Sequence, residues 1–144
     1  FSRLHKWIGE CLSYTRKTGF AWTWWDGEYA RRRPLWNVSS PDDGKRSNAE
    51  NSSFNTPVQG TASDFCLASI IDVVQWIKDD CVPAKLVLTV HDSIMLEVDD
   101  DAVEEVAYQC KRIMESHNSC GIPLEVDVEI GQSWGSLESY EVEE

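Results

Sequence analysis

Leu86-Val87-Leu88-Thr89-Val90-His91-Asp92-Ser93-Ile94-Met95-Leu96-Glu97-Val98 consists of two apolar, β-branched runs around a polar triplet that contains neither Gly nor Pro. On the first run Leu86, Leu88 and Val90 alternate with Val87, Thr89 and His91; on the second, Ile94, Leu96 and Val98 alternate with Met95 and Glu97. A period of two on both sides predicts the two strands of a hairpin, with His91-Asp92-Ser93 at its turn. An imidazole and a carboxylate would then stand at the tip of a stiff ribbon, a place from which a metal ligand can be held accurately. Asp and Ser are also good turn formers, so the turn alone would account for two of the three residues.

Working back from the hairpin, Asn55-Thr56-Pro57-Val58-Gln59-Gly60 opens a helical pattern in which Ala62, Phe65, Cys66, Ser69-Ile70, Val73 and Ile77 recur on one face to about Lys78. Thr56 suits the N-cap, Pro57 the first helical position, and Thr56 with Gln59 has capping-box spacing. Gly60 sits where Ala would be more stable by about 1 kcal/mol, which suggests that something comes close to the backbone there. Residues 37 to about 53, rich in Ser, Asn, Asp, Gly and Lys, read as an exposed loop. Before them, Phe20 to Trp25 and Glu28 to Trp36 flank Asp26-Gly27, a hairpin signal. Arg31, Arg32 and Arg33 fall on its second strand with tryptophans opposite, fitted either to a stacked cation–π ribbon or to phosphate contact. Residues 1 to about 17 carry Phe1, Leu4, Ile8 and Leu12 at helical spacing, closed by Lys17 and Gly19.

Beyond the central hairpin, Asp99-Asp100-Asp101 reads as a helix cap, followed by a buried stripe of Val103, Val106-Ala107, Cys110 and Ile113-Met114. His117 and Cys120 read as loop residues. Pro123 to Gly131 alternates cleanly as a strand, and Gln132 to Glu144 reads as a polar tail anchored by Trp134.

The 144 residues suffice for one domain or part of one, and the helical start at Phe1 without Met suggests a fragment or subunit piece. The apolar runs are too short for a membrane span and there is no signal-peptide pattern. Five cysteines without paired spacing (Cys11, Cys66, Cys81, Cys110, Cys120) suit reduced thiols in a cytoplasm. The net charge of −12 is unevenly spread. Residues 1–48 hold nine basic side chains against five acidic ones, whereas the remainder holds four against twenty. A basic first third, including Lys45 and Arg46 beside the arginine triplet, permits contact with a polyanion on one side only.

Three blocks, Asn55-Thr-Pro-Val-Gln-Gly-Thr-Ala-Ser-Asp64, Leu88-Thr-Val-His-Asp-Ser-Ile-Met-Leu-Glu-Val98 and Gly121-Ile-Pro-Leu-Glu-Val-Asp-Val-Glu-Ile-Gly-Gln-Ser-Trp-Gly135, together resemble the C-terminal palm of family A, DNA polymerase I-like, DNA polymerases. Gly19 to Trp36 is similar to the Gly-Arg-Arg hairpin of the same family, so the resemblance covers nearly the whole chain. It implies an α+β fold, with helices packed on an antiparallel palm sheet, as the C-terminal part of a right-hand polymerase over residues 1–144. It implies template-directed nucleotidyl transfer to a primer 3′-hydroxyl, supported by two Mg²⁺ ions shared with residues outside this chain. Asp92 would be a metal-binding catalytic aspartate and His91 would sit by the primer end. Asn55 and Gln59 would meet the minor-groove edge of the new base pair, where the acceptors are nearly common to all pairs. Gly60 would let the chain's backbone come close to DNA, and from their charge Arg31, Arg32, Arg33 and Arg46 are the expected DNA-contacting cations. The implied partners are primer–template DNA, deoxynucleoside triphosphates and an N-terminal polymerase portion, in the cytoplasm of a bacterial or phage-infected cell and away from membranes.

The pattern departs from the family in three ways. Ser93 stands where a Glu is usual, and Asn51 stands where many members carry an Arg that contacts DNA. The other catalytic aspartate's motif and the fingers helix that binds the nucleotide are not in these residues. These departures keep two rival readings open: a non-catalytic DNA-binding or assembly module derived from a polymerase, and a metal phosphohydrolase using His91 and Asp92. The second would need further ligands, and neither His5 nor His117 has a ligand spacing.

Overall fold

In the computed structural model the described residues are 1–23, 30–117, 121 and 123–142. The expected Asp26-Gly27 turn and the loop position of Cys120 lie outside them. The chain forms two compact units, residues 1–64 and 65–144. Both mix helices with antiparallel strands, giving the expected α+β class. The strands form three separate two-stranded ladders among the described residues, where a single sheet was expected.

The first unit starts with α1 (Ser2–Thr18), which ends where Gly19 takes φ 79° and returns its N–H to the Thr15 carbonyl at 2.8 Å. That left-handed C-cap is open to glycine without steric cost. Strand β1 (Phe20–Trp22) then pairs with β2 (Arg32–Pro34), Ala21 opposite Arg33 and Trp22 opposite Arg32. Between β2 and the next helix, Trp36–Ser39 makes a short 3₁₀ turn.

The expected loop over residues 37–53 is largely a helix. Helix α2 (Asp43–Asn55) is capped by Asp42, whose carboxylate accepts the Lys45 N–H at 3.0 Å. Its composition is polar because its core face needs only small side chains: Ala49 and Ser53 are buried, while Arg16 on α1 pairs with Glu50 at 2.5 Å. Tertiary packing of that face overrides a weak local propensity.

The expected helix start at Thr56 is also absent. The chain runs from α2 through a π-helical turn, Thr56–Gly60, directly into α3 (Thr61–Asp79). Pro57 explains the π turn: it has no N–H to donate and its ring would collide with the carbonyl four residues earlier. One extra residue in that turn widens it and lets the helix continue. Gln59 therefore caps nothing.

The second unit holds the rest of α3, then β3 (Ala84–Val90) and β4 (Ser93–Val98), a 3₁₀ turn at Asp100–Ala102, and α4 (Val103–Ser116). Val73, Ala102, Val106 and Cys110 form its core, with Trp76, Ile77, Ile94, Leu96 and Val98 packed around them. The acidic run does not cap α4 through a side chain; Asp99 instead accepts the Ala102 N–H through its backbone carbonyl, and the acids lie at the helix's positive end. His117 ends α4, with its Nε2 3.1 Å from Asp72 Oδ2 on α3. Burial pushes the Cys110 thiol up to about 11, so it is a protonated core group.

The expected strand at Pro123–Gly131 shortens to β5 (Val128–Ile130), and the expected tail supplies its partner, β6 (Glu138–Tyr140). Trp134 is 61% exposed and so is not the buried anchor expected for the tail. The connection closes instead because Gly131 lets the Ser136 carbonyl lie where a β-carbon would be. Residues 123–127 are held to α4 by Lys111, which donates to the Val126 carbonyl at 2.7 Å, and by Glu115, which accepts the Val126 N–H at 3.0 Å. Among the described residues no helix is long and apolar enough to cross a membrane.

The hydrogen bond from Lys111 and the Val126 N–H together hold the Glu115 carboxyl below its ordinary value of 4.5, against a smaller opposing effect of burial. A carboxyl lowered by folding stabilises the native state at and above its ordinary value and stops doing so as pH falls through the lowered one. The Val126 amide should accordingly stay protected from hydrogen exchange near neutrality and open in the acid range. Glu115→Gln keeps an acceptor for the Val126 N–H but cannot titrate, so it should leave no such acid transition. An acid transition that persists in Glu115→Gln would place the latch elsewhere.

Candidate nucleic-acid interface

Two sets of candidate residues belong to different units and are described separately. In the first unit, Thr23, Arg31, Arg32, Arg33, Thr56, Gln59, Gly60 and Ser63 line a cleft of about 500 Å³. The three arginines have three different attachments. Arg31 pairs with Asp64, a carboxylate only 3% exposed in the first turn of α3. Arg32 stacks over Phe20 at 5.1 Å and Trp22 at 5.7 Å. Arg33 donates to Thr56 Oγ1 at 3.2 Å. Cation–π stacking and an outward-facing charge are thus compatible on one strand, because all three arginines remain exposed.

Asp64 was missed by sequence reasoning, although it ends the block that begins at Asn55. Its carboxylate also accepts from Thr23 Oγ1, itself buried. Leaving a buried carboxylate unpaired costs roughly 3–5 kcal/mol, reduced here because the Arg31 side chain is 56% exposed. The hairpin is closed by reciprocal bonds, Thr23 N–H to the Arg31 carbonyl at 2.9 Å and Arg31 N–H to Thr23 Oγ1 at 3.0 Å.

The close approach expected at Gly60 is present, and its partner is within the chain. A β-carbon at Gly60 would overlap the Thr23 Cγ2 methyl and sit 3.4 Å from Thr23 Cβ. Asn55 and Gln59 are exposed, with no side-chain hydrogen bond among the described residues. Arg46 is half-buried and engaged with the Ser40 carbonyl at 3.0 Å and with Asp43. It closes the start of α2 instead of pointing freely outward.

In the second unit the hairpin is tighter than its sequence suggests. Val90 pairs with Ser93, so the turn is His91-Asp92 alone and Ser93 begins β4, its hydroxyl donating to the Val90 carbonyl at 2.9 Å. A register shift between Leu86 and Leu88 leaves Val87 as a bulge, which breaks the expected alternation: Leu86 lies opposite Leu96, but Leu88 lies opposite Met95. Bulges bend and twist a ribbon and re-aim the side chains beyond them. His91 and Asp92 are both exposed, and His91 has φ 56°. A two-residue turn with positive φ at its first central residue normally carries glycine there. Burial raises the Cys66 thiol, and the charge of Asp92 raises it further, which places the two groups within electrostatic reach. Among the described residues no three His, Cys, Asp or Glu side chains converge as metal ligands.

The sequence model of DNA polymerase family A matches residues 1–136. The chain is 31% identical, over its whole length, to the DNA polymerase of Bacillus phage SP01 and covers 16% of that protein. It is 34% identical over 93% of its length to the thermostable DNA polymerase I of Thermus filiformis, covering 15% of that protein. Among solved structures it resembles the POL domain of Pol1 from M. smegmatis, in complex with DNA primer-template and dNTP. That match has a TM-score of 0.78 at 29% identity and covers 87% of this chain and 21% of that one. The chain belongs to DNA polymerase family A, and it spans about a sixth of the length of these curated relatives.

The left-handed backbone at His91 gives a test that separates stability from function. Non-glycine residues lose roughly 1–2 kcal/mol in this region, so His91→Gly should be neutral or stabilising by up to about 1 kcal/mol in chemical unfolding. A clear loss of stability would mean that the imidazole holds the turn together and is a structural residue.

Proposed function

We propose that this chain is the C-terminal palm portion of a DNA-directed DNA polymerase, working with segments that carry the first catalytic aspartate motif and the fingers nucleotide-binding helix. Its family membership and its likeness to a polymerase domain support the reaction class. The observation that carries the reading for this chain is the β3–β4 tip. There an exposed Asp92 follows an exposed His91 held in strained backbone.

Family A DNA polymerases use divalent metal ions, and the donor present here fits such an ion in kind. A carboxylate oxygen is a hard ligand, and Mg²⁺ commonly takes one or two carboxylates together with substrate phosphates. Asp92 would supply one such carboxylate to the two ions, and further ligands would come from outside this chain. When bound, the ions would polarise the phosphoryl group and lower the charge barrier to attack. His91 would lie against the primer end. Asn55 and Gln59, exposed amides with no side-chain hydrogen bond among the described residues, would bond to the minor-groove edge of the new pair and so test its shape. Arg32 and Arg33 would neutralise phosphates, with deoxynucleoside triphosphates and primer–template DNA as partners. Ser93 donates to a backbone carbonyl and offers no carboxylate, so any metal support usual at that position must come from elsewhere.

Reconstitution with the remaining polymerase segments tests this. Asp92→Ala should abolish single-turnover primer extension while thermal unfolding and DNA affinity stay close to wild type. Retention of more than a few per cent of the rate would remove Asp92 from the metal site.

Gln59→Ala gives a second test. Because this amide caps no helix, its loss should shift unfolding by less than the roughly 1 kcal/mol of a lost cap, yet slow extension from a matched primer end. Unchanged extension per folded molecule would show that Gln59 does not read the base pair.

A further inference from the structure

We propose that Asp64 is a positioning residue, whose buried carboxylate clamps the arginine hairpin onto the π-helical turn and so fixes where Gln59 stands. The proposal rests on the reading of Gln59 as a minor-groove contact. The turn is pinned on both sides of Gln59. Before it, Thr56 Oγ1 accepts from Arg33. Directly after it, Gly60 receives the Thr23 methyl where its own side chain would be. One turn further on, Asp64 holds the Thr23 hydroxyl and the Arg31 guanidinium. Gln59 is exposed between these attachments, next to the exposed Val58.

The chemistry of the clamp argues for geometry over bulk stability. A buried charge pair is often no more stabilising than apolar residues of the same volume, and its distinctive property is that it permits one arrangement. The carboxylate fixes two groups that are themselves joined, since Arg31 N–H donates to Thr23 Oγ1 at 3.0 Å. Thr23 thereby has a single orientation, and that orientation puts its methyl over Gly60. The glycine is then required by the chain itself, without any DNA present. The clamp also divides the arginines by role: Arg31 is engaged by Asp64, leaving Arg32 and Arg33 to meet a polyanion.

The test compares Gly60→Ala, Thr23→Ser, the double variant and Asp64→Asn in the reconstituted polymerase. Thr23→Ser keeps the hydroxyl for Asp64 and deletes the methyl that fills the Gly60 site. Gly60→Ala should lower the ratio of matched to mismatched primer extension by about tenfold to a hundredfold, the scale of loss when a positioned group moves by about an ångström. Adding Thr23→Ser should restore most of that ratio and should also restore the melting temperature. Asp64→Asn should lower the ratio while KM for the nucleotide changes by less than about twofold, a split expected when positioning and not uniform binding is lost. Rescue of melting without rescue of the ratio would mean that Gly60 faces DNA directly, and would overturn the positioning role. Absence of coupling between Gly60→Ala and Thr23→Ser in melting would overturn the clamp itself. A folded Asp64→Asn with a wild-type ratio would do the same. A wild-type assembly that extends no primer would sink the reading of the site and the positioning role with it, whereas the melting cycle decides the clamp independently of DNA.

Discussion

A carboxylate that is 3% exposed must be partnered, and the partners of Asp64 decide the arrangement of the first unit. Taking a charge out of water costs several kcal/mol, and only a cation with hydrogen bonds to the remaining lone pairs offsets it. Arg31 and the Thr23 hydroxyl meet that demand. Both come from the hairpin, so the hairpin cannot shift along the helix without exposing an unpaired charge. Apolar burial alone would be more tolerant. The buried apolar residues of this unit are Cys11, Ala21, Leu35, Val38 and Ala49, of which only Leu35 and Val38 are more than small, so they specify register weakly.

The second constraint is Pro57. A proline inside a helix normally ends or kinks it, yet α2 and α3 run together through it. The π turn absorbs the missing donor, and Thr61 Oγ1 returns a hydrogen bond to the Pro57 carbonyl. A consequence is that Asn55 and Gln59 belong to continuous helical backbone and not to a fraying first turn. Side chains on such backbone are held more accurately than side chains on a loop. The same turn removes the competing explanation for Gln59, because a residue inside a helix has no orphan N–H group of a helix start to satisfy.

How much of this was legible in the residues depends on which force decided each element. Helix α4 and the existence of the β3–β4 ribbon follow from periodicity; α1 follows from its helical rhythm and Gly19 stop, although its buried residues are Cys11 and Thr15 while Phe1 and Leu4 are exposed. Helix α2 was not legible because its buried face consists of Ala49 and Ser53, which carry no hydrophobic signal. The helix start assigned to Thr56 was misplaced for a related reason: Thr, Pro and Gln at those spacings are the vocabulary of an N-cap, and only the preceding helix changes their meaning. Strand β6 was hidden in a polar tail because it is largely exposed and alternates weakly. Among site residues, Gly60 was found for a sound reason, a missing side chain where helix propensity disfavours it, although the close partner is Thr23. Asp64 was overlooked because a lone acid in the first turn of a helix ordinarily faces solvent and favours the dipole.

The two units place their candidate residues under different kinds of constraint, and this bears on how each could act. At the cleft, charge pairing holds Arg31 to Asp64 and stacking holds Arg32 over Phe20, so both side chains have fixed places on the hairpin. At the β3–β4 tip, no buried charge is involved. The Val87 bulge and the two-residue turn do the positioning, and the left-handed backbone at His91 is the local cost. Glycine would relieve that strain, so the imidazole stands against the conformational preference of the turn. Strain at a solvent-exposed tip is sustained by the strand pairs behind it, from Val90 with Ser93 back to Ala84 with Val98. Strained backbone under an exposed side chain is a pattern that clusters at functional sites, and this is the physical ground on which the proposed role of His91 stands.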